Sequence, residues 1–195
     1  DREQKETKRG RNDMDKVISK EVSFEQAEGY RYVEGGICAA KGYLANGLNC
    51  GLNPVKEKND LALFVSEVPA RAAAVYTTNK VKGAPILVCR RHLAKTANTA
   101  RAVIANSKNA NTCNADGEEK AERMCALAAG ELQIRPEEVL AASTGVIGEI
   151  LPIEPIESHI KELAAGLSRT GNMEAAKAIM TTDTVKKEAA VEFEL

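Results

Sequence analysis

The stretch Val139-Leu140-Ala141-Ala142-Ser143-Thr144-Gly145-Val146-Ile147-Gly148 decides how the chain is read. Val139 to Ala142 form an apolar, buried element, Ser143-Thr144-Gly145 makes a small polar turn, and Val146 and Ile147 lead towards a helix started by Pro155. A Thr-Gly corner at the end of a buried element has two readings. It is a tight turn in which Gly145 supplies an unusual φ, or it offers backbone N–H groups to an anion or a polarised carbonyl.

The residues before the corner alternate between strand and helix patterns. Leu61 to Val68, Ala72 to Thr77 and Pro85 to Cys89 are apolar runs of strand length bounded by Pro, Gly, Asn or charge. Thr78-Asn79-Lys80 suits a hairpin or short connection between the second and third, and a short helix is expected around Arg91 to Lys95. Arg101 to Ala105 reads as a strand with both faces covered. Asp116 with Glu119 forms a capping pattern for a helix to about Leu132. Ala121, Met124, Cys125, Ala128 and Leu132 recur at spacings of three and four on that helix, which puts Cys125 on its buried face. The region from Gly35 through Gly42 and on to Pro54 is rich in Gly and Asn and reads as turns connecting an N-terminal strand to the sheet. It lacks both phosphate-loop patterns, G-x-G-x-x-G and G-x-x-x-x-G-K-[ST].

Two polar stretches stand out. Asn106-Ser107-Lys108-Asn109-Ala110-Asn111-Thr112-Cys113-Asn114 has no core-forming group, and is either an elaborate loop or the wall of a polar pocket. Thr181-Thr182-Asp183-Thr184 either binds a polar ligand or caps the chain into a final strand, where Val191, Phe193 and Leu195 alternate with Glu192 and Glu194. Between them, Ile156, Ile160, Leu163 and Leu167 share one face of the Pro155 helix, and Asn172 is placed to cap another helix through Ile179. Glu154, Glu157 and Glu162 lie on or near the solvated side of the first helix and are not candidate acids.

Composition excludes several function classes. Lys plus Arg (27) and Asp plus Glu (28) nearly cancel, so no global field draws in nucleic acid. With aromatics at 4% and no Trp, stacking platforms for bases are lacking too. No apolar run approaches a membrane span and no signal-peptide pattern opens the chain. The five cysteines, Cys38, Cys50, Cys89, Cys113 and Cys125, are odd in number and contain no C-x-x-C pair, which argues against a disulfide framework and a zinc site and for reduced thiols in the cytoplasm. His92 and His159 read as satisfied or solvated surface side chains. Residues 1–16 are charged and almost without apolar groups, the pattern of a mobile arm, and 17–195 are expected to form a single domain. The first methionine is Met14, which suggests a leader, an appended segment or an unusual start.

Taken in order, these pieces resemble the N-terminal part of the ornithine acetyltransferase family, the bifunctional glutamate N-acetyltransferases of arginine biosynthesis. The matching pieces are the Gly36 to Gly42 region, Lys58-Asn59-Asp60-Leu61-Ala62, Ala73-Ala74-Val75-Tyr76-Thr77, the asparagine loop through Cys113, Ser143 to Gly148, and Thr181 to Thr184. Together they cover roughly Gly35 to Leu195. Lys108 stands where the family more often has a small residue. Members are made as one precursor that cuts itself before a threonine, so the resemblance implies an α chain lacking its last residues, with the nucleophilic Thr on a β chain.

The resemblance further implies that Thr144 and Gly145 form the oxyanion hole and that Thr181 binds substrate. The substrates would be N-acetylornithine and glutamate in a ping-pong reaction without a metal or other cofactor, acetyl-CoA serving as a further acetyl substrate in bifunctional members. The usual assembly is an α2β2 heterotetramer. The pattern of elements gives an α+β or α/β chain, and the resemblance gives a layered sandwich, central sheets and outer helices, completed by a second chain. The reading from another class is a non-catalytic module whose Gly, Asn and Thr loops form an amino-acid pocket.

Overall fold

The computed structural model describes residues 29–194. The charged stretch 1–16 and Leu195 lie outside the described residues. The described chain falls into two units. β1 (Tyr30–Val33) pairs with β6 (Ala190–Phe193), and within the smaller unit, residues 29–32 and 192–194, Arg31 donates to Glu192 at 2.7 Å. The larger unit runs from Val33 to Val191.

The larger unit is built on one four-stranded sheet in the order β2 (Tyr43–Leu48), β3 (Leu61–Arg71), β4 (Thr99–Asn106) and β5 (Val139–Ser143). The first three are antiparallel, and β4 and β5 are parallel. Parallel neighbours need a long crossover, here supplied by the asparagine loop and α2 (Gly117–Leu132). The register pairs Leu48 with Leu61, Leu61 with Asn106, and Asn106 with Ser143. One edge of the sheet therefore collects the ends of β2, β4 and β5 and the start of β3.

Alternation sorts the side chains onto two faces. Leu61, Leu63, Val65, Ala102, Ile104, Val139 and Ala141 point into the main core, against α1 (Ala84–Lys95), α2 and α3 (Glu154–Ala165). These helices contribute Val88, Met124, Cys125, Ile156, Ile160 and Leu163. Burial raises the Cys125 thiol above its ordinary range and pushes Cys50 up to about 12, with Asp60 adding to the latter. On the other face Ala45, Ala62 and Ala105 meet Ala175 and Ala178 of α4 (Asn172–Ala178). The approach is closest at Gly47, where a Cβ would collide with the Glu174 carbonyl. α4 covers β2 and β3. Elsewhere on this face Phe64, Val103 and Leu140 stay half-buried and, with Ile37 and Tyr43, line a shallow apolar groove of about 180 Å³.

Several local expectations are corrected. Pro85 to Cys89 is the first half of α1, not a strand: Gly83 precedes the helix, Pro85 occupies its first turn, and Val88 and His92 lie four apart on the buried side. Ala72 to Thr77 forms no strand because β4 begins only at Thr99, so after the bond from Ala72 N–H to the Asn98 carbonyl it has no partner to pair with. Nor does Thr78 to Lys80 close a hairpin. Before that point β3 shifts register between Val65 and Ala70, where Pro69 lacks a ladder donor. β2 itself lies inside the stretch expected to be turns. The Asp116 side chain makes no capping bond to α2, and Asn172 is the first residue of α4 rather than its cap. Val191 and Phe193 of β6 are exposed.

His92 is buried, not at the surface. Its Nδ1 lies 2.7 Å from the Val139 carbonyl and its Nε2 2.8 Å from Glu122, so it joins α1 to α2 and to the first residue of β5. Arg91 adds a bond to Glu122 at 3.0 Å. Burial raises the Glu122 carboxyl, but the bonds from Arg91 and His92 outweigh it and hold the group below the usual carboxylate range.

Two outcomes follow from this packing. Gly47→Ala should lower stability by about 1–3 kcal/mol through overpacking against α4, read as a reduced denaturant midpoint. The depressed Glu122 contributes stability that is complete above its unfolded pKa of about 4.3 and is lost as pH falls through the lower folded value. Glu122→Gln should therefore be less stable at neutral pH and lose less further stability on acidification, measured as thermal midpoints across an acid series.

Candidate functional site

β5 ends at Ser143 beside Asn106, the last residue of β4, and the parallel pairing does not stop with the strands. Thr144 N–H donates to the Asn106 carbonyl at 3.0 Å and Val146 N–H to the Lys108 carbonyl at 3.0 Å. In return Ala110 N–H donates to the Val146 carbonyl at 2.8 Å, and Gly148 N–H donates to the Thr112 carbonyl at 2.8 Å. The corner is thus laced along its whole length to the asparagine loop. Gly145 has φ 139°, and any Cβ there would strike the Lys108–Asn109 peptide. Both the conformation and the contact demand glycine.

The lacing leaves two donors unspent. Among the described residues neither the Thr144 hydroxyl nor the Gly145 N–H makes a hydrogen bond. Gly145 is exposed and Thr144 half-buried. A backbone N–H and a hydroxyl at a corner with a fixed path are the parts from which an anion or a developing oxyanion is held.

The asparagine loop is both an elaborate loop and part of a pocket wall: Asn111, Cys113 and Asn114 line a cavity at the start of α1 and α2, while Asn109 and Asn111 are engaged in hydrogen bonds to backbone groups. Asn109 donates to the Glu149 carbonyl at 3.0 Å and accepts from Asn111 N–H at 2.7 Å. Asn111 donates to the Gly117 carbonyl at 2.8 Å, tying the loop to the start of α2. Lys108, Asn111 and Cys113 adopt positive φ. Lys108, at φ 76°, sits where a small residue or Gly is most at ease, and its carbonyl is the acceptor for Val146.

Asp60, within the Lys58–Ala62 piece, anchors the same sheet edge. Its buried carboxylate accepts from Cys50 N–H at 2.7 Å and Asn53 N–H at 2.5 Å, and its carbonyl accepts from Ser107 N–H at 2.8 Å. It holds the β2–β3 connection and the asparagine loop together at the sheet edge that carries the corner. The only sequence sign of this role is an acidic residue directly before the apolar run Leu61 to Val65.

Thr181 is not brought to the corner by any hydrogen bond among the described residues. It lies in an exposed stretch after α4. Its N–H donates to Asp183 at 3.5 Å. The Lys187 ammonium beside Asp183 holds that carboxyl below its usual range. A cavity of about 570 Å³ opens where α1 and α2 begin, with Lys80, Lys82 and Arg90 facing Asp116, Glu118 and Glu119, and does not include Thr144 or Gly145. Among the described residues no three His, Cys, Asp or Glu side chains come together as metal ligands, and no helix is long and apolar enough to cross a membrane. The five cysteines are free thiols.

Known proteins share this architecture. The structure of the arginine biosynthesis bifunctional protein argJ from Bacillus halodurans matches with a TM-score of 0.76 and 37% identity over 83% of this chain and 84% of that one. Ornithine acetyltransferase from Mycobacterium tuberculosis, solved with ornithine, matches with a TM-score of 0.77 and 34% identity over 83% of this chain and 88% of that one. The arginine biosynthesis bifunctional protein ArgJ of Thermosynechococcus vestitus is 46% identical over 168 residues, 85% of this chain and 39% of the relative. Glutamate N-acetyltransferase of Methanocaldococcus jannaschii is 44% identical over 167 residues, 85% of this chain and 40% of the relative. The chain thus spans about two fifths of the length of these curated relatives. The family model described as ArgJ family matches residues 44–195, which include both the sheet and the corner, and the chain belongs to that family.

Proposed function

We propose that this chain is the α part of a glutamate N-acetyltransferase, moving the acetyl group of N-acetylornithine to glutamate through an acyl-enzyme. The observation that carries the reading is the pair of unspent donors, Thr144 hydroxyl and Gly145 N–H, on a corner whose path is fixed by the Lys108–Asn109 peptide. The nucleophile is a threonine on a β chain cut from the same precursor. Its hydroxyl oxygen attacks the acetyl carbonyl, and the carbonyl oxygen takes up negative charge between Thr144 and Gly145. Collapse breaks the C–N bond and ornithine leaves with the threonine's proton on its nitrogen; the amine of glutamate then attacks the acetyl ester, its C–O bond breaks, and the threonine oxygen recovers a proton from that amine. Thr181 contributes to the substrate site.

The half-buried apolar face of Phe64, Val103 and Leu140 supports completion of the sandwich by a second chain, with α2β2 as the assembly. No cofactor enters the reaction; acetyl-CoA is a second acetyl donor if the protein shares the bifunctional activity that several relatives' names state. Five free thiols fit a reducing, cytoplasmic setting. The alternative of a stand-alone amino-acid-binding module is disfavoured because the side chains of Asn109 and Asn111 are engaged with backbone groups of the loop, of Gly117 and of Glu149.

In the protein expressed from its intact gene, Thr144→Ala should lower acetyl transfer from N-acetylornithine by about a hundredfold or more, with little change in thermal midpoint; an unchanged rate would overturn the assignment. Gly145→Ala should abolish transfer and also cost about 1–3 kcal/mol in stability, because the new methyl group meets the Lys108–Asn109 peptide in a backbone region closed to alanine. Parallel melting and rate measurements separate the two effects.

A further inference from the structure

We infer that Asn106 is a positioning residue that sets where Thr144 and Gly145 sit, acting through the Ser143 hydroxyl; this rests on reading the corner as an oxyanion site. Asn106 is the last residue of β4 and is only 1% exposed. Its Oδ1 accepts the Ser143 hydroxyl at 2.6 Å, and its backbone carbonyl accepts Thr144 N–H at 3.0 Å. Its Nδ2 donates to the Ser107 carbonyl at 3.1 Å and to the Asn109 carbonyl at 2.9 Å. One residue therefore grips two consecutive residues of the corner and, on its other side, the loop whose Lys108–Asn109 peptide Gly145 rests against.

The chemistry of the carboxamide is specific to this task. An acceptor is needed towards Ser143 and two donors towards carbonyls, all from one short side chain, and among neutral side chains of this length only Asn supplies both. Aspartate would keep the acceptor but place a buried charge against two carbonyl oxygens with no donor for either. The backbone rungs at Thr144, Val146 and Gly148 fix the path of the corner. They do not fix how Ser143 and Thr144 are rotated about that path. The 2.6 Å bond to the Ser143 side chain supplies that second restraint, next to the two donors whose direction matters for a developing charge.

Ser143 provides the clean perturbation, since it is half-buried and its loss leaves the Asn106 backbone bond in place. In the intact protein, Ser143→Ala should lower kcat by about ten- to a hundredfold while KM for N-acetylornithine moves by less than about twofold. Ser143→Thr, which restores a hydroxyl, should recover most of the rate. Amide hydrogen exchange in peptides spanning residues 140–148 should quicken by about two- to tenfold in Ser143→Ala, the range set by the net worth of one hydrogen bond, and return in Ser143→Thr. Unchanged kcat in Ser143→Ala, or a fall in kcat without faster exchange, would overturn the inference. If the unmodified protein transfers no acetyl group, the functional reading fails, and the exchange comparison still decides whether Asn106 holds the corner through Ser143.

Discussion

The bond from Thr144 N–H to the Asn106 carbonyl is where the sheet hands over to the corner, and most of the larger unit exists to make that handover reproducible. Two parallel strands end side by side at Asn106 and Ser143, and the chain continues pairing beyond them although neither segment is a strand any longer. Such pairing without regular geometry is costly to order, because each residue fixed gives up conformational freedom with no ladder to repay it. The cost is offset by buried amides: Asn106, Asn109 and Asn111 replace the missing rungs with side-chain bonds to carbonyls and N–H groups. Asp60 does the same for the neighbouring connection.

Beneath this edge lies a conventional core. β3 and β4 place alternate apolar residues under α1, α2 and α3, and the buried His92 ties the two helices that border β5 to the carbonyl of its first residue. The position of β5 is therefore set at both ends, by a side chain at Val139 and by the loop at Ser143. Any element carried on its C-terminal end inherits that restraint. The opposite face behaves differently: α4 seats on alanines, and the surface towards β4 and β5 keeps half-buried Phe64, Val103 and Leu140.

The strands that bury a full face were readable from their apolar runs, as Arg101–Ala105 and Val139–Ala142 show, and so were the helices with a four-residue rhythm at Met124–Ala128 and Ile156–Ile160. The errors share one cause, which is that a short apolar run carries no record of its partner. Pro85 to Cys89 looks extended until His92 and Leu93 are counted on the same buried side, and Ala72 to Thr77 has strand composition but meets no neighbouring strand. Tyr43 to Leu48 is disguised by Asn46 and Gly47, whose presence is explained only by the two helices they meet: Asn46 donates to the Leu163 carbonyl of α3, and Gly47 makes room for α4. At the corner, Ser143-Thr144-Gly145 was visible as a sharp turn, yet the need for glycine comes from the peptide of a residue thirty-odd positions earlier. Long-range contact of that kind leaves no local signature. Thr181, by contrast, owes its selection wholly to resemblance, since its own surroundings are open and polar.

The alanine seat of α4 has a mechanical consequence. Where two elements meet through long side chains, rotamer changes let one slide by a fraction of an ångström without moving the other; where they meet backbone to backbone, as at Gly47 and Glu174 or Gly171 and Ala45, there is nothing to deform. α4 is therefore a hard bearing rather than a cushion. Whatever displaces the sheet at β2 displaces α4 by the same amount, and the Ile179–Met180 exit that leads to the threonine cluster travels with it.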